Sequence, residues 1–170
     1  PPPPPPFSSR RRHTRSASSS RGLGDVYKRQ MQYCGVLAVE FFLTTGGTLL
    51  INEMSPRPHN SGHYSLDACV NSQFEQQVRT LCGLPPGSTA LLSPAVMVNI
   101  LGNWWHKGAQ PPWEHLFKHP HTKLHLYGKQ QARAGRKMGH YNCLATNLDE
   151  AILEAEQVRA ALTTRSTGHA

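Results

Sequence analysis

Between Ile51 and Ser65 the chain reads INEMSPRPHNSGHYS, which sets Glu53, Arg57, His59, Asn60 and His63 within a dozen positions. Arg57 offers a planar fork for a carboxylate or a phosphate. Pro56 and Pro58 stiffen the backbone, and Gly62 lets a ligand come close to it. His59 and His63 can donate, accept or move a proton near neutral pH. A segment that merely connected two elements would be small, polar and indifferent. This density of functional groups on a restricted backbone indicates a ligand loop.

A second group lies just upstream. The run GVLAVEFFLTTGGTLLINEM contains two apolar, β-branched and aromatic stretches parted by Gly46-Gly47, which predicts a hairpin with a two-residue loop. With that loop, Glu40 falls directly across from Glu53. Like charges facing each other destabilise a sheet, and ionised carboxylates in hydrophobic strands are costly. A divalent cation between them removes both objections, and Mg²⁺ takes one or two carboxylates together with phosphate oxygens. The alternative is an edge hairpin whose glutamates point to solvent and bind nothing.

The third group is YGKQQARAGRKMGH, residues 127 to 140, with Lys129, Arg133, Arg136 and Lys137 around Gly135. Cations and exposed amides in a glycine-containing turn suit a phosphate, while a solvated charge run is the simpler reading of this stretch alone. Two separated cationic loops in a small domain fit a phosphorylated small molecule better than a long polyanion. His115, His119, His121 and His125 span a helix end, a proline and a strand, which argues against one shared zinc. Catalytic triads, P-loops and dinucleotide fingerprints are absent.

These groups must be positioned by a chain of 170 residues, 38% of them hydrophobic, which suffices for one or two small domains. The formal charge of +8 is concentrated at one end: residues 1 to 30 hold seven Lys/Arg and one acid, a net of +6. That Pro, Ser and Arg mixture has almost nothing to pack, so it is expected to be a disordered tail, set aside from the fold as non-native sequence. There is no 18-residue apolar run and no signal-peptide pattern. Cys34, Cys69, Cys82 and Cys143 lack any CxxC spacing and read as free buried thiols of a reducing cytoplasm.

The periodicity predicts a helix over SLDACVNSQFEQQVRTLCG, with Ala68, Cys69, Phe74, Val78 and Leu81 as its apolar stripe and Gly83 closing it. Its N-terminus near Ser65 to Asp67 would turn free amides toward the loop. A buried strand over 95 to 101, a short helix near 113 to 118, strands near 123 to 127 and 138 to 145, and a capped helix from about 148 to 162 complete the list. The core face of that last helix is expected at Leu148, Ile152, Ala155, Val158 and Leu162. The fold class is α+β with antiparallel strands. Three segments are expected: a tail over 1 to 30, a sheet-and-helix portion over 31 to 88, and a small β-rich domain with its closing helix over 89 to 170.

With these residues in view, AVEFF, a glycine turn and Asn-Glu on the return strand resemble the metal-binding half of the ATP-grasp superfamily. NEMSPRPHNSGHYS, DACVNSQFEQQVR, LHLYGK and AGRKMGH together resemble the family of 5-(carboxyamino)imidazole ribonucleotide synthases over residues 31 to 163. The resemblance implies the C-terminal portion of an ATP-grasp fold, and a cytoplasmic ligase that uses ATP and Mg²⁺. It implies that bicarbonate is joined to 5-aminoimidazole ribonucleotide through carboxyphosphate, in de novo purine synthesis. It implies Glu40 and Glu53 as Mg²⁺ carboxylates and Asn52 with Glu53 as the nucleotide-contacting pair. Arg57, His59, Asn60, Ser61 and His63 would face carboxyphosphate and the imidazole, and Lys129, Arg136 and Lys137 the ribonucleotide phosphate. The partners implied are those small molecules, with no nucleic acid or membrane, and a homodimer for the full-length enzyme.

The family's nucleotide-binding-like and ATP-clamping lobes do not precede Met31, so a piece of a longer enzyme, inactive by itself, is expected. A formate-dependent glycinamide ribonucleotide transformylase shares the acidic strand pair and a related PRPH loop, but the HNSGH continuation and GRKMGH argue against it. A noncatalytic interaction fragment acting through residues 1 to 30 is the remaining alternative.

Overall fold

The computed structural model describes residues 33 to 163 apart from Lys107, so the proline- and arginine-rich tail and its expected disorder lie outside the described residues. From Gly35 onward the described residues form one compact unit. It is α+β, with two antiparallel sheets flanked by helices.

The first sheet is a hairpin of β1 (Ala38–Leu43) and β2 (Leu49–Ser55). Glu40 pairs with Glu53, as the sequence led one to expect, but by a different route. The connection is longer than two residues. Thr44 N–H donates to the Thr48 carbonyl, Thr48 N–H donates to Thr44 Oγ1, and Gly47 sits at φ +83°. That is the three-residue type of hairpin loop, in which a glycine in the left-handed region closes the turn. Leu43 therefore pairs with Leu49, one step out of the expected register, and a bulge at Asn52 restores it before Glu40 is reached. The strands are not buried either: Phe41, Phe42, Leu49 and Ile51 are all about half exposed.

One long helix is expected over 65 to 83, but two short ones form, α1 (Ser65–Ala68) and α2 (Gln73–Leu81). The break has local and tertiary causes. Ser72 caps α2 by accepting from Glu75 N–H, a role in which serine outcompetes helix continuation. Val70 and Asn71 give their N–H groups to the carbonyls of Ala90 and Ser88, and Leu92 N–H reaches Ala68. α2 ends as predicted, in a Schellman arrangement at Gly83, with Leu84 N–H bonded to Arg79 and Gly83 N–H to Thr80. Of its stripe, Val78 and Leu81 are more than half exposed, while Phe74 packs on the His63 ring. The N–H groups of Leu66, Asp67 and Ala68 are taken by the carbonyls of His63 and Tyr64, so these three amides of α1 are not available to an anion.

The second sheet has the order β3 (Ala95–Leu101), β5 (Lys137–Leu144), β4 (Thr122–Leu126). Helix α3 (Trp113–Leu116) and the closing helix α4 (Leu148–Thr163) pack on one side of it. Asn147 Oδ1 accepts Glu150 N–H and starts α4, as its sequence signature requires. The core gathers Ile100, Leu116, Tyr141, Cys143, Ala155, Val158 and Leu162, and Tyr141 donates to the Ala155 carbonyl. Ala151 takes the buried place expected of Leu148, which is 38% exposed. Of the four cysteines only Cys143 is buried, against the expectation for all of them; Cys34 and Cys82 are exposed and Cys69 is partly so.

Strand β5 is buried on both faces. Tyr141 and Cys143 enter the core, while His140 and Asn142 alternate to the other side and meet the loop that follows β2. There His125, the cross-strand partner of His140, stacks on it at 4.5 Å, and His63 approaches His140 at 5.0 Å. The Asp67 carboxylate joins the two segments by accepting from Asn142 Nδ2 at 2.5 Å, with His125 Nε2 at 2.8 Å.

This column of imidazoles fixes the pH response. Burial pushes His140 from an ordinary 6.5 down to about 4, helped by His125 and His63 and opposed by Asp67. The unfolded chain thus binds a proton that the folded chain refuses, and stability falls as pH drops from 6.5 toward about 4. His63 is lowered for the same chief reason and adds in the same direction. Denaturant unfolding at stepped pH should show a loss on the order of 2–3 kcal/mol from His140 across that window. His140→Gln should flatten the profile, and a flat wild-type profile would refute the assignment.

Candidate functional site

The bulge and the rigid loop bring four side chains of the first sheet region together. Asn52 Nδ2 donates to Glu40 Oε2 at 3.3 Å, and His59 Nε2 lies 3.4 Å from both Glu40 Oε1 and Glu53 Oε1. The two carboxylates are 40% and 53% exposed, so the desolvation cost inferred from their hydrophobic strands does not arise here. What remains is the repulsion of two facing carboxylates, which His59 partly relieves. Among the described residues, Glu40, Glu53 and His59 alone group their ligand atoms within 4.8 Å.

The donor set fits a hard cation. Two carboxylates on neighbouring strands suit Mg²⁺, which prefers oxygen. His59 has a different part: its Nδ1 accepts Ser61 N–H and meets Ser61 Oγ at 2.9 Å, which leaves the ring proton on Nε2, facing the carboxylates. A cation here would be held by Glu40 and Glu53, with His59 as a neighbouring donor.

The rest of the loop is ordered by its surroundings. Gln73, at the start of α2, accepts His59 N–H with Oε1 and donates from Nε2 to the His59 carbonyl and to His63 Nδ1. Gly62 has no side chain because Gln73 occupies the space its Cβ would need. Ser65 Oγ donates to the Gly62 carbonyl and accepts Gln73 N–H. Asn60 Oδ1 is buried without a hydrogen-bond partner among the described residues. Arg57 is exposed and folds back on its own loop, donating to the Pro58 carbonyl.

The basic loop between β4 and β5 stands on the second sheet. Lys129 Nζ donates to the Lys137 carbonyl at 2.6 Å and lies 5.4 Å over the Tyr127 ring. Tyr127 OH is 2.8 Å from His140 Nδ1, so this loop adjoins the imidazole column. Arg136 donates to the Gln131 carbonyl, and Gly102 N–H to the Arg136 carbonyl. A side chain at Gly102 would strike the Arg133 backbone, so this glycine sets the height of the loop. A cleft of about 380 Å³ borders it, lined in part by Trp105, Leu126, Lys129 and Met138. Lys137 is close enough to His63 to hold its pKa down after burial has done so, and this is the electrostatic link between the two cationic loops. Sequence reasoning missed Gln73, Asp67 and the partnership of His125 with His140. Alternation of polar and apolar residues along GHYNC was the available signal for the last.

Comparison with known proteins bears on the sequence and the fold. Residues 14–74 match the ATP-grasp domain and residues 95–154 match the phosphoribosylaminoimidazole carboxylase C-terminal domain. N5-carboxyaminoimidazole ribonucleotide synthase of Bacillus subtilis is 50% identical over 125 residues, covering 74% of this chain and 32% of that protein. The phosphoribosylaminoimidazole carboxylase ATPase subunit of Aquifex aeolicus superposes with a TM-score of 0.78 at 35% identity, over 88% of this chain and 45% of the other. An Aspergillus clavatus N5-carboxyaminoimidazole synthase, solved in complex with ADP and 5-aminoimidazole ribonucleotide, superposes with a TM-score of 0.63 at 32% identity, over 75% and 35%. The chain spans about a third of the length of the curated relatives it matches. Sequence and fold agree, and the chain belongs to the ATP-grasp family of N5-carboxyaminoimidazole ribonucleotide synthases, of whose length it spans a part.

Proposed function

We propose that this chain supplies one wall of an N5-carboxyaminoimidazole ribonucleotide synthase, an enzyme that carboxylates 5-aminoimidazole ribonucleotide with bicarbonate at the expense of ATP, by way of carboxyphosphate, in cytoplasmic purine synthesis. The observation that carries the reading is the convergence on His59, which faces Glu40 and Glu53 with one edge and is locked into the PRPHNSGH loop by the other. In this assignment residues 31 to 88 are the end of the ATP-grasp portion and 89 to 170 a small β-rich domain, and the full-length enzyme is a homodimer.

Each group has a part that its chemistry explains. Glu40 and Glu53 hold Mg²⁺, and Asn52 and Glu53 meet the nucleotide. The cation, when bound, neutralises phosphate oxygens during phosphoryl transfer. Arg57, Asn60 and Ser61 bind the acyl phosphate and the imidazole, with Arg57 released from Pro58 to fork onto an anion. His59 donates from Nε2 toward the acidic pair and keeps both carboxylates aimed at one point. Lys129, Arg136 and Lys137 take the ribonucleotide phosphate. Most of the catalysis expected from such a wall is positioning and charge stabilisation in a site shielded from water.

Titration of the 170-residue chain with 5-aminoimidazole ribonucleotide, with and without Mg²⁺ and ADP, should show saturable binding that Lys137→Ala weakens by about tenfold, the loss of one charge-assisted contact. No binding by a folded chain would defeat the assignment of the phosphate loop. Separately, Glu40→Gln and Glu53→Gln should each abolish Mg²⁺ binding measured by calorimetry while shifting the unfolding midpoint little, since both side chains are substantially exposed. Mg²⁺ binding equal to wild type in either variant would remove that residue from the metal site.

A further inference from the structure

The loop from Arg57 to His63 is held by a residue outside it. Gln73 presents its amide to the backbone of His59 as another peptide would, accepting the N–H at 2.9 Å with Oε1 and donating to the carbonyl at 2.8 Å with Nε2. This two-point match fixes which end of the amide is which. A carbonyl can only accept, so the atom facing the His59 carbonyl is the NH₂ group. The second hydrogen of that group is then directed at His63 Nδ1, 2.8 Å away.

The consequence passes to the histidine. An imidazole nitrogen that receives an N–H must carry its lone pair there, so the ring proton of neutral His63 resides on Nε2. Phe74 stacks on the ring at 5.5 Å and His140 packs at 5.0 Å, which leaves the ring little freedom to turn over and exchange its nitrogens. Burial, with Lys137 next in effect, keeps His63 below the usual histidine range, so the neutral form is the one present at neutral pH. Among the described residues Nε2 has no hydrogen-bond partner.

We propose that Gln73 is the positioning residue of this site: it holds the loop at His59 and fixes His63 as the tautomer protonated at Nε2, so that His63 meets a bound molecule as a hydrogen-bond donor and not as a base. The tautomer follows from the hydrogen bonds alone; its use toward the imidazole ribonucleotide rests on the function proposed above. Gly62 belongs to the same device, since any side chain there would displace the amide.

The test is the long-range ¹H–¹⁵N spectrum of histidine side chains in the ¹⁵N-labelled 170-residue chain near pH 7.5. His63 is identified by the disappearance of its signals in His63→Gln. The expected pattern shows Nε2 protonated and Nδ1 bare; a wild-type spectrum with the proton on Nδ1, or with the two forms mixed, overturns the proposal whatever the variants do. Gln73→Glu turns the donor into an acceptor and should move the His63 proton to Nδ1 or charge the ring, whereas Gln73→Met should leave the two tautomers mixed. An unchanged His63 pattern in a folded Gln73→Glu or Gln73→Met chain refutes the role of Gln73. Addition of 5-aminoimidazole ribonucleotide should shift the His63 Nε2–H signal. If the tautomer is as expected and the ligand binds without moving that signal, the donor role fails. If no ligand binds, the proposed function fails while the tautomer assignment stands.

Discussion

Asp67 is a single carboxylate between two sheets, and much else depends on what it accepts. It stands on a one-turn helix just after the histidine loop, and takes Asn142 of the central strand of the second sheet together with His125 of the edge strand. Those two residues share a face with His140 because strand residues alternate and because β4 and β5 pair in register. The carboxylate thereby fixes how the ligand loop meets the imidazole column, and through Tyr127 the basic loop as well. Replacement by alanine would leave buried Asn142 Nδ2 and partly buried His125 Nε2 without this acceptor, a loss larger than that of the hydrogen bonds themselves.

The elements legible in the sequence were those whose cause is local. β3, β4, β5 and α4 follow from period and capping, and the Schellman end at Gly83 follows from one glycine. The long helix over 65 to 83 failed because the alternative partners of Val70 and Asn71, the carbonyls of Ala90 and Ser88, lie some twenty residues away and leave no local signature. The Glu40 and Glu53 pairing came out right from a wrong turn, since the longer loop and the Asn52 bulge shift the register in opposite senses. A bulge is a property of two strands together, and neither strand announces it alone.

The site was legible as a set of residue types and not as a set of contacts. Glu40, Glu53, His59, Asn52 and Ser61 come together, but Arg57 turns back on Pro58, and Lys129 and Arg136 donate to the carbonyls of Lys137 and Gln131 in their own loop. Gln73 escaped notice because a glutamine on a helix is ordinarily a solubilising residue. Its role appears only when the backbone of His59 is brought beside it.

The hairpin of β1 and β2 has a bearing on how the chain behaves while it folds. Its contacts are local, so it can form within microseconds, ahead of the sheet that requires residues 95 and 144 to meet. Once formed it displays Phe41, Phe42 and Leu43 opposite Leu49, Leu50 and Ile51, each about half exposed or more, on a two-stranded ribbon. Such an exposed apolar surface favours contact with another apolar surface. The same short segment that aims two carboxylates at a common point therefore also presents apolar surface that a neighbouring chain could meet while folding is incomplete.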